Sequence, residues 1–464
     1  TTRRVVILSC LYIFLLEFQA GLQIPSALAL LEQRLCYDVQ PGLPWPPASD
    51  DPACKTTQVQ GRLASFRGLQ SSLDVIPGLL TTIPYGMLSD TWGRRPILIL
   101  ATVGYTLSVA FQIFVFSFGP VFPAPMLFCS TIFMFIGGSP STMSAMIFTS
   151  IADVTAVSSR ADVFFAVSAT YIASEVLSSP LAGLILLHSA WGLLITSFGI
   201  LLATFVITML FPETGTMLGA KSRTQTMAAS SDAEGSVPEP AQAGRCQSTV
   251  EKISRIWRYV STNKRLVALT ISLVFVVLGR FVQEMLLQYT TKRYNWTWSQ
   301  ASFVLTIRSI SNFIVLTVVM PLASRLLLMH RRGRNSSSNS ASATSKDVWI
   351  ARVSGVLGII GFSLIGFAYT PVILCTGLVV VSLSGGMSSV LRSLLNSLVE
   401  PRHLGRLNAV LGIMELASLL VAAPALSQSL RAGLRLGGMW IGLPFMCAAA
   451  IMTVSTGVVW LVSI

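Results

Sequence analysis

The sequence predicts an all-α membrane protein with twelve transmembrane helices, arranged as two six-helix halves with both termini cytosolic. Three observations carry that prediction. Of the 464 residues, 53% are hydrophobic and only 11% are charged, whereas an ordinary soluble domain carries roughly 25% charged residues. Apolar runs recur along the whole chain, many longer than the ~20 residues a helix needs to cross a hydrocarbon core. The basic residues are also unevenly shared between alternate loops. In a soluble chain the net charge of +13 would suggest nucleic acid. Here it reads as basic loops facing anionic lipid, so the bilayer is the expected partner and nucleic acid is not. Seven cysteines (Cys10, Cys36, Cys54, Cys129, Cys246, Cys375 and Cys447) show no paired metal-ligand spacing, and His188, His330 and His403 lie far apart. No metal and no cofactor are expected.

Taken in order, the apolar segments fall at 5–30, 66–89, 97–118, 126–152, 163–187, 191–211, 266–289, 302–324, 351–369, 372–398, 406–427 and 436–463. In lipid each becomes a helix, because only a helix satisfies its own backbone hydrogen bonds within one segment. The first is too long for a cleavable signal peptide and lacks a small-residue cleavage site. With the N-terminus inside, the N-terminal stub and even-numbered loops carry 21 Lys and Arg, and the odd-numbered loops carry eight. The positive-inside rule therefore sets the orientation.

Between the sixth and seventh spans, residues 212–263 are polar and rich in Ser, Ala, Glu and Pro, the composition of a disordered cytosolic linker. They divide the chain into halves 1–211 and 264–464, a layout of secondary transporters. A second polar stretch, His330–Lys346, reads as a basic loop. On the opposite side, Cys36 and Cys54 share one loop and are candidates for a disulfide in an oxidising compartment. Asn295-Trp-Thr297 is a glycosylation sequon on that side; Asn335-Ser-Ser337 falls inside and is expected to stay bare.

The loop after span two reads Gly86-Met-Leu-Ser-Asp90-Thr-Trp-Gly93-Arg94-Arg95-Pro96. Gly86 permits close helix contact, Gly93 a tight turn, and Asp90 is placed to meet a helix N-terminus or an arginine. In spacing and placement it resembles the G-x-L-x-D-x-x-G-R-R motif of the major facilitator superfamily, with Thr91 where that family usually has a basic residue. Asp153, in Ser150-Ile-Ala-Asp153-Val, resembles the acid that family members place against the signature arginines. Phe211-Pro-Glu213-Thr214 resembles the ending of their sixth span. Asp51–Leu69, followed by Pro77-Gly78 and Pro84-Tyr85-Gly86, is similar to fungal members that serve secondary-metabolite clusters. Ser179-Pro180-Leu-Ala-Gly183 matches part of an antiporter motif. The Ser-x-Ala-Asp-Val run and Arg392 also resemble proton-coupled folate transporters, although the span-five glutamate of those carriers falls on Ser168. The resemblance implies the major facilitator fold, a monomer, and an inner gate built from Gly86, Asp90, Gly93, Arg94, Arg95 and Asp153.

Eight ionisable residues lie inside the expected spans: Glu17, Asp74, Glu175, Arg280, Glu284, Arg308, Arg392 and Glu415. Each would cost about 2.5–3.5 kcal/mol at a span centre, so they should face a shared polar interior. Glu17, Glu175 and Glu415 sit near mid-span, where a desolvated carboxyl holds its proton more tightly and suits proton carriage. Asp74, further out, is a candidate for a gate or proton entry. Arg280, Glu284 and Gln288 recur every four residues as one stripe, which suggests an Arg280–Glu284 pair within the helix. Arg308 lies at similar depth on the next span. Ser388, Arg392 and Asn396 form a second stripe, with Arg392 facing either a substrate anion or Glu415 or Glu175. Arg280, Glu284, Arg308, Arg392 and Asn396 are the candidate substrate contacts.

No phosphate-binding loop is present, so an ion gradient rather than ATP is the expected fuel, with protons favoured by the buried carboxyls. The leading expectation is proton-coupled export of an organic small molecule, a drug or secondary metabolite. The alternatives are proton-coupled import of an organic anion and a non-transporting membrane sensor. An intramembrane enzyme lacks a paired nucleophile and base. The plasma membrane is the expected location, with vacuolar or vesicular membranes as alternatives.

Overall fold

The computed structural model describes residues 2–40, 42, 44–47, 50–119, 121–155, 160–214, 264–319, 322, 339–399 and 404–461. The expected linker, apart from 212–214, and the sequon at Asn335 lie outside them, as does most of the basic loop. The described residues are almost entirely helical. The first half contains α1 (Thr2–Val39), α2 (Thr57–Trp92), α3 (Arg94–Ser117), α4 (Pro140–Val154), α5 (Arg160–Leu186) and α6 (Ala190–Leu210). The second contains α7 (Arg265–Tyr294), α8 (Trp298–Val319), α9 (Asn339–Gly366), α10 (Pro371–Ser397), α11 (Leu404–Leu436) and α12 (Gly438–Leu461).

Ten of these helices are long and apolar enough to cross a membrane, against twelve spans expected. α2 is long, but Arg62, Arg67, Asp74 and Asp90 make it polar. α4 has only 15 residues. The expected span 126–152 is instead broken into a short segment, Ala124–Phe133, and α4. The break lies at Gly137 and Gly138, with φ of +80° and +92°, a region open to glycine and costly to other residues. A Cβ on Gly137 would also strike the α3 backbone at Leu100 and Ala101.

Two further departures matter for function. α1 runs on to Val39 and α2 begins at Thr57, so residues 31–39 and 57–65, expected in a loop, are helical. Within α7, Phe281–Met285 tightens into a 3-10 turn. There, positions four apart diverge by roughly 120° rather than about 40°, which breaks the expected Arg280–Glu284–Gln288 stripe.

The halves meet along two seams, α2 against α11 and α5 against α8. Ser72 donates to the Leu420 carbonyl at 3.3 Å in the first, and Ser299 to the Gly183 carbonyl at 2.7 Å in the second. One apolar core, which includes Leu22, Leu31, Leu63 and Leu186, also takes in Leu287, Trp298 and Ala301 from the second half. Another, around Tyr12, Ile97, Met143 and Phe211, is built from the first half.

Gly137→Ala is expected to destabilise the protein by more than about 2 kcal/mol, through a disfavoured φ and a backbone clash. The unfolding midpoint of the purified protein checks it; an unchanged midpoint contradicts the packing of this turn.

Candidate functional site

Seven of the eight intramembrane ionisable residues line two adjoining cavities between the halves. The larger, about 600 Å³, is bordered by Arg280, Glu284, Arg308, Arg392 and Glu415. The smaller, about 150 Å³, is bordered by Glu17, Glu175, Glu284 and Arg308. Gln283, Glu284 and Arg308 belong to both, so the two form one chamber.

Two ion pairs occupy it. Arg308 Nη2 meets Glu175 Oε1 at 2.6 Å, across the α5–α8 seam. Arg392 engages Glu415 with both ends of its fork, Nε to Oε1 at 3.1 Å and Nη2 to Oε2. Such bidentate pairing fixes orientation as well as charge. The expected Arg280–Glu284 pair does not form, because the 3-10 turn swings Glu284 away. Arg280 instead donates to Ser388 Oγ at 3.3 Å. Among the described residues Glu17 and Glu284 have no ion-pair partner. Gln288 leaves the stripe altogether and donates to the Gln60 carbonyl at 2.7 Å. Asn396 lies outside the chamber and accepts from Asn408 Nδ2 at 3.1 Å. Asp74 faces a separate cavity and accepts from Thr131 at 2.8 Å.

At the signature loop, Gly93 has a φ of +102°, and its missing Cβ leaves room for the Glu213 carboxylate. That carboxylate accepts the backbone N–H groups of Arg94 at 2.9 Å and Arg95 at 3.1 Å. It caps the N-terminus of α3, where Gly93 has no side chain to do so. Asp90 pairs with Arg94 at 2.7 Å rather than with the helix end. Arg94 also reaches Asp153 at 3.3 Å. Arg95 donates to the Met209 carbonyl at 2.6 Å, in the last turn of α6. A Cβ on Gly86 would meet open space, so the close helix contact expected there is absent. Glu213, in the stretch expected to end the sixth span, thus belongs to the signature-loop cluster.

The opposite end holds a carboxylate that the sequence reading missed. Glu32, 1% exposed, receives Lys55 Nζ on both oxygens at 3.0 and 2.9 Å. Gln60 Nε2 donates to it as well, and Trp298 Nε1 does so from the second half at 2.6 Å. The Trp298 backbone N–H donates to Asp50 at 3.0 Å, and Lys292 Nζ to the Lys55 carbonyl at 2.6 Å. A disulfide joins Cys36 to Cys54 beside this cluster. It ties the Asp50–Lys55 segment to α1. Asn295, of the sequon Asn295-Trp-Thr297, is an exposed left-handed cap at φ +52°.

Comparison with known proteins gives concordant results. Residues 64–423 match the family model of the Major Facilitator Superfamily. The chain is 30% identical to the MFS efflux pump atnC of Emericella nidulans, over 96% of this chain and 85% of that protein. It is 26% identical to the efflux pump ustT of Aspergillus flavus, over 98% of this chain and 87% of that one. The fold is similar to that of the nucleoside transporter NupG, with a TM-score of 0.64 and 13% identity over 98% of both chains.

Glu32→Ala takes the acceptor from three donors in two halves, Gln60 and Trp298 buried and Lys55 half-buried. It is expected to lower stability by about 3 kcal/mol or more, the range for breaking a buried pair. The thermal unfolding midpoint checks this, and a change within the spread of surface substitutions contradicts it.

Proposed function

Since the chain belongs to the major facilitator superfamily and is a multi-pass membrane transporter rather than an enzyme, we propose that it exports an organic small molecule, a drug or secondary metabolite, in exchange for protons. The observation that carries this reading is the convergence of seven ionisable side chains on one chamber between the halves. In a low-dielectric interior such groups must balance one another or be met by water or ligand. The chamber holds four carboxyls (Glu17, Glu175, Glu284 and Glu415) against three guanidiniums (Arg280, Arg308 and Arg392). It is neutral when one carboxyl carries a proton. Glu175 and Glu415 are committed to arginines, so Glu17 and Glu284 are the groups that take up and release it. Export is supported by the printed names of the relatives, which are efflux pumps.

The mechanism is alternating access. In the described state, buried contacts around Glu32 and Trp298 hold the disulfide end shut. The signature-loop end, with its contacts among Asp90, Arg94, Asp153 and Glu213, is in this reading the cytosolic side from which the chamber is reached. Cargo enters there and reaches the chamber, where Glu17, Glu284 and Arg280 hold no ion-pair partner among the described residues. Proton arrival from the other side at Glu17 or Glu284 resets the cycle.

A second reading, import of an organic anion, is favoured by Arg280, which donates to Ser388 and pairs with no carboxylate among the described residues. The two readings separate in proteoliposomes with an imposed pH gradient, using rhodamine 6G as a cationic probe and fluorescein as an anionic one. Export predicts that rhodamine moves against the proton flow. Fluorescein moving with the protons favours import, and flux of either probe indifferent to the gradient contradicts coupling. Glu17→Gln combined with Glu284→Gln should cut gradient-driven flux more than about tenfold, equivalent to about 1.4 kcal/mol. Retained coupling would move the proton site elsewhere.

A further inference from the structure

A second cavity, of about 330 Å³, is bounded by α1, α2, α3 and the broken fourth segment of the first half, with Leu416 of α11 closing one side. The chamber residues carrying the ion pairs do not line it. Its polar wall comes from Arg67, Gln70 and Asp74 on α2, Gln23 on α1, and Tyr105 and Gln112 on α3. Positions 67, 70 and 74 follow the three-and-four spacing that puts side chains on one helix face. Arg67 makes no hydrogen bond or ion pair among the described residues. Asp74 has one oxygen on Thr131 at 2.8 Å, and the other takes no partner among them. The two are seven residues apart, about 10 Å along the axis, and form no ion pair with each other. A cation and an anion thus border the same cavity without direct contact between them.

The same cavity is lined by carboxamides, two of them held by hydrogen bonds. Gln19 Nε2 donates to Gln23 Oε1 at 2.7 Å, and the Tyr105 hydroxyl donates to the same oxygen at 3.2 Å. Gln23 Nε2 reaches Gln112 Oε1 at 3.4 Å, and Gln112 Nε2 donates to Ser130 Oγ at 3.3 Å. Gln70, 7% exposed, has no hydrogen bond among the described residues, so its donors and acceptor remain for a guest. A carboxamide both donates and accepts, which matches the peptide group. The remaining walls, including Leu31, Val75, Phe116 and Leu416, are apolar. Ile24 borders both this cavity and the chamber, and Arg67 also lines a narrow crevice that reaches Glu284. A guest here would therefore adjoin the proton-carrying groups.

We propose that this side cavity binds a zwitterionic, amide-bearing cargo of short-peptide size, its ammonium on Asp74, its carboxylate on Arg67 and its amides on the glutamines. An extended tripeptide is about 10 Å long, comparable with the axial rise between positions 67 and 74, and the cavity volume falls within the range of small-ligand sites. The inference rests on the transporter reading above and names a cargo class for it.

The test is equilibrium binding of radiolabelled trialanine to the purified full chain in lipid nanodiscs, with no gradient applied. Saturable binding is expected, displaced by unlabelled trialanine and not by trialanine blocked at both ends. Arg67→Gln and Asp74→Asn should each weaken it at least about tenfold, and Arg67→Lys, which keeps the charge, should recover part of the loss. No saturable binding, equal displacement by the blocked peptide, or unchanged affinity in the two charge-removing variants overturns the proposal. Should those variants not purify in folded form, the blocked and unblocked peptides decide the matter on the unaltered protein. Probe flux coupled to protons without trialanine binding sinks this inference alone. Trialanine binding without coupling sinks the proton reading and leaves this one standing.

Discussion

A charge inside an apolar bundle must be answered, and that constraint organises this protein. An ionised side chain left against lipid is costly, while the same side chain turned towards an opposite charge or a wet cavity is tolerable. Helices carrying Glu17, Glu175, Arg280, Glu284, Arg308, Arg392 and Glu415 are therefore turned so that these groups border one space between the halves. Arg308–Glu175 crosses the α5–α8 seam, so it fixes the halves together as well as balancing charge. Arg392–Glu415 lies within the second half and shapes one wall of the chamber.

The two ends of the bundle solve different problems. At the disulfide end, Glu32 accepts from Lys55 and Gln60 in its own half and from Trp298 in the other. Opening that end means returning a buried carboxylate and an indole N–H to water, at a cost set by how fully their bonds are replaced. The contact resists separation without being irreversible. At the signature-loop end, Glu213 spends its carboxylate on the N-terminus of α3, and Arg95 its guanidinium on the C-terminal turn of α6. These contacts brace α3 against the end of α6 within one half.

Much of this was legible in the sequence, and the failures have physical causes. The membrane class, the helical segments and the gathering of buried charges follow from composition and from the cost of charge in lipid. The Asp90–Arg94–Asp153 cluster follows from the motif. The break at Gly137–Gly138 was hidden because two glycines in an apolar run are tolerated in a membrane helix as readily as they end one. Glu32 was missed because the first apolar segment was ended at residue 30, although Leu28, Leu31 and Leu35 continue its helical spacing to Cys36. The Arg280–Glu284 pair failed because four-residue spacing implies one face only in an α-helix, and a 3-10 turn intervenes. Gln112 and Tyr105 were overlooked because buried polar groups were sought from carboxyls and guanidiniums, of which α3 carries none within its span.

The account stands on reciprocal opening of the two ends about the charged chamber. Its most direct test is double electron–electron resonance with every cysteine other than Cys36 and Cys54 replaced, and spin labels placed in two pairs. One pair, at Thr91 and Ser397, reports the signature-loop end; the other, at Gln58 and Tyr369, reports the disulfide end. Between pH 8 and pH 5 the account predicts opposite changes, the first distance shortening as the second lengthens. Two distances that stay fixed, or that move in the same sense, would contradict it.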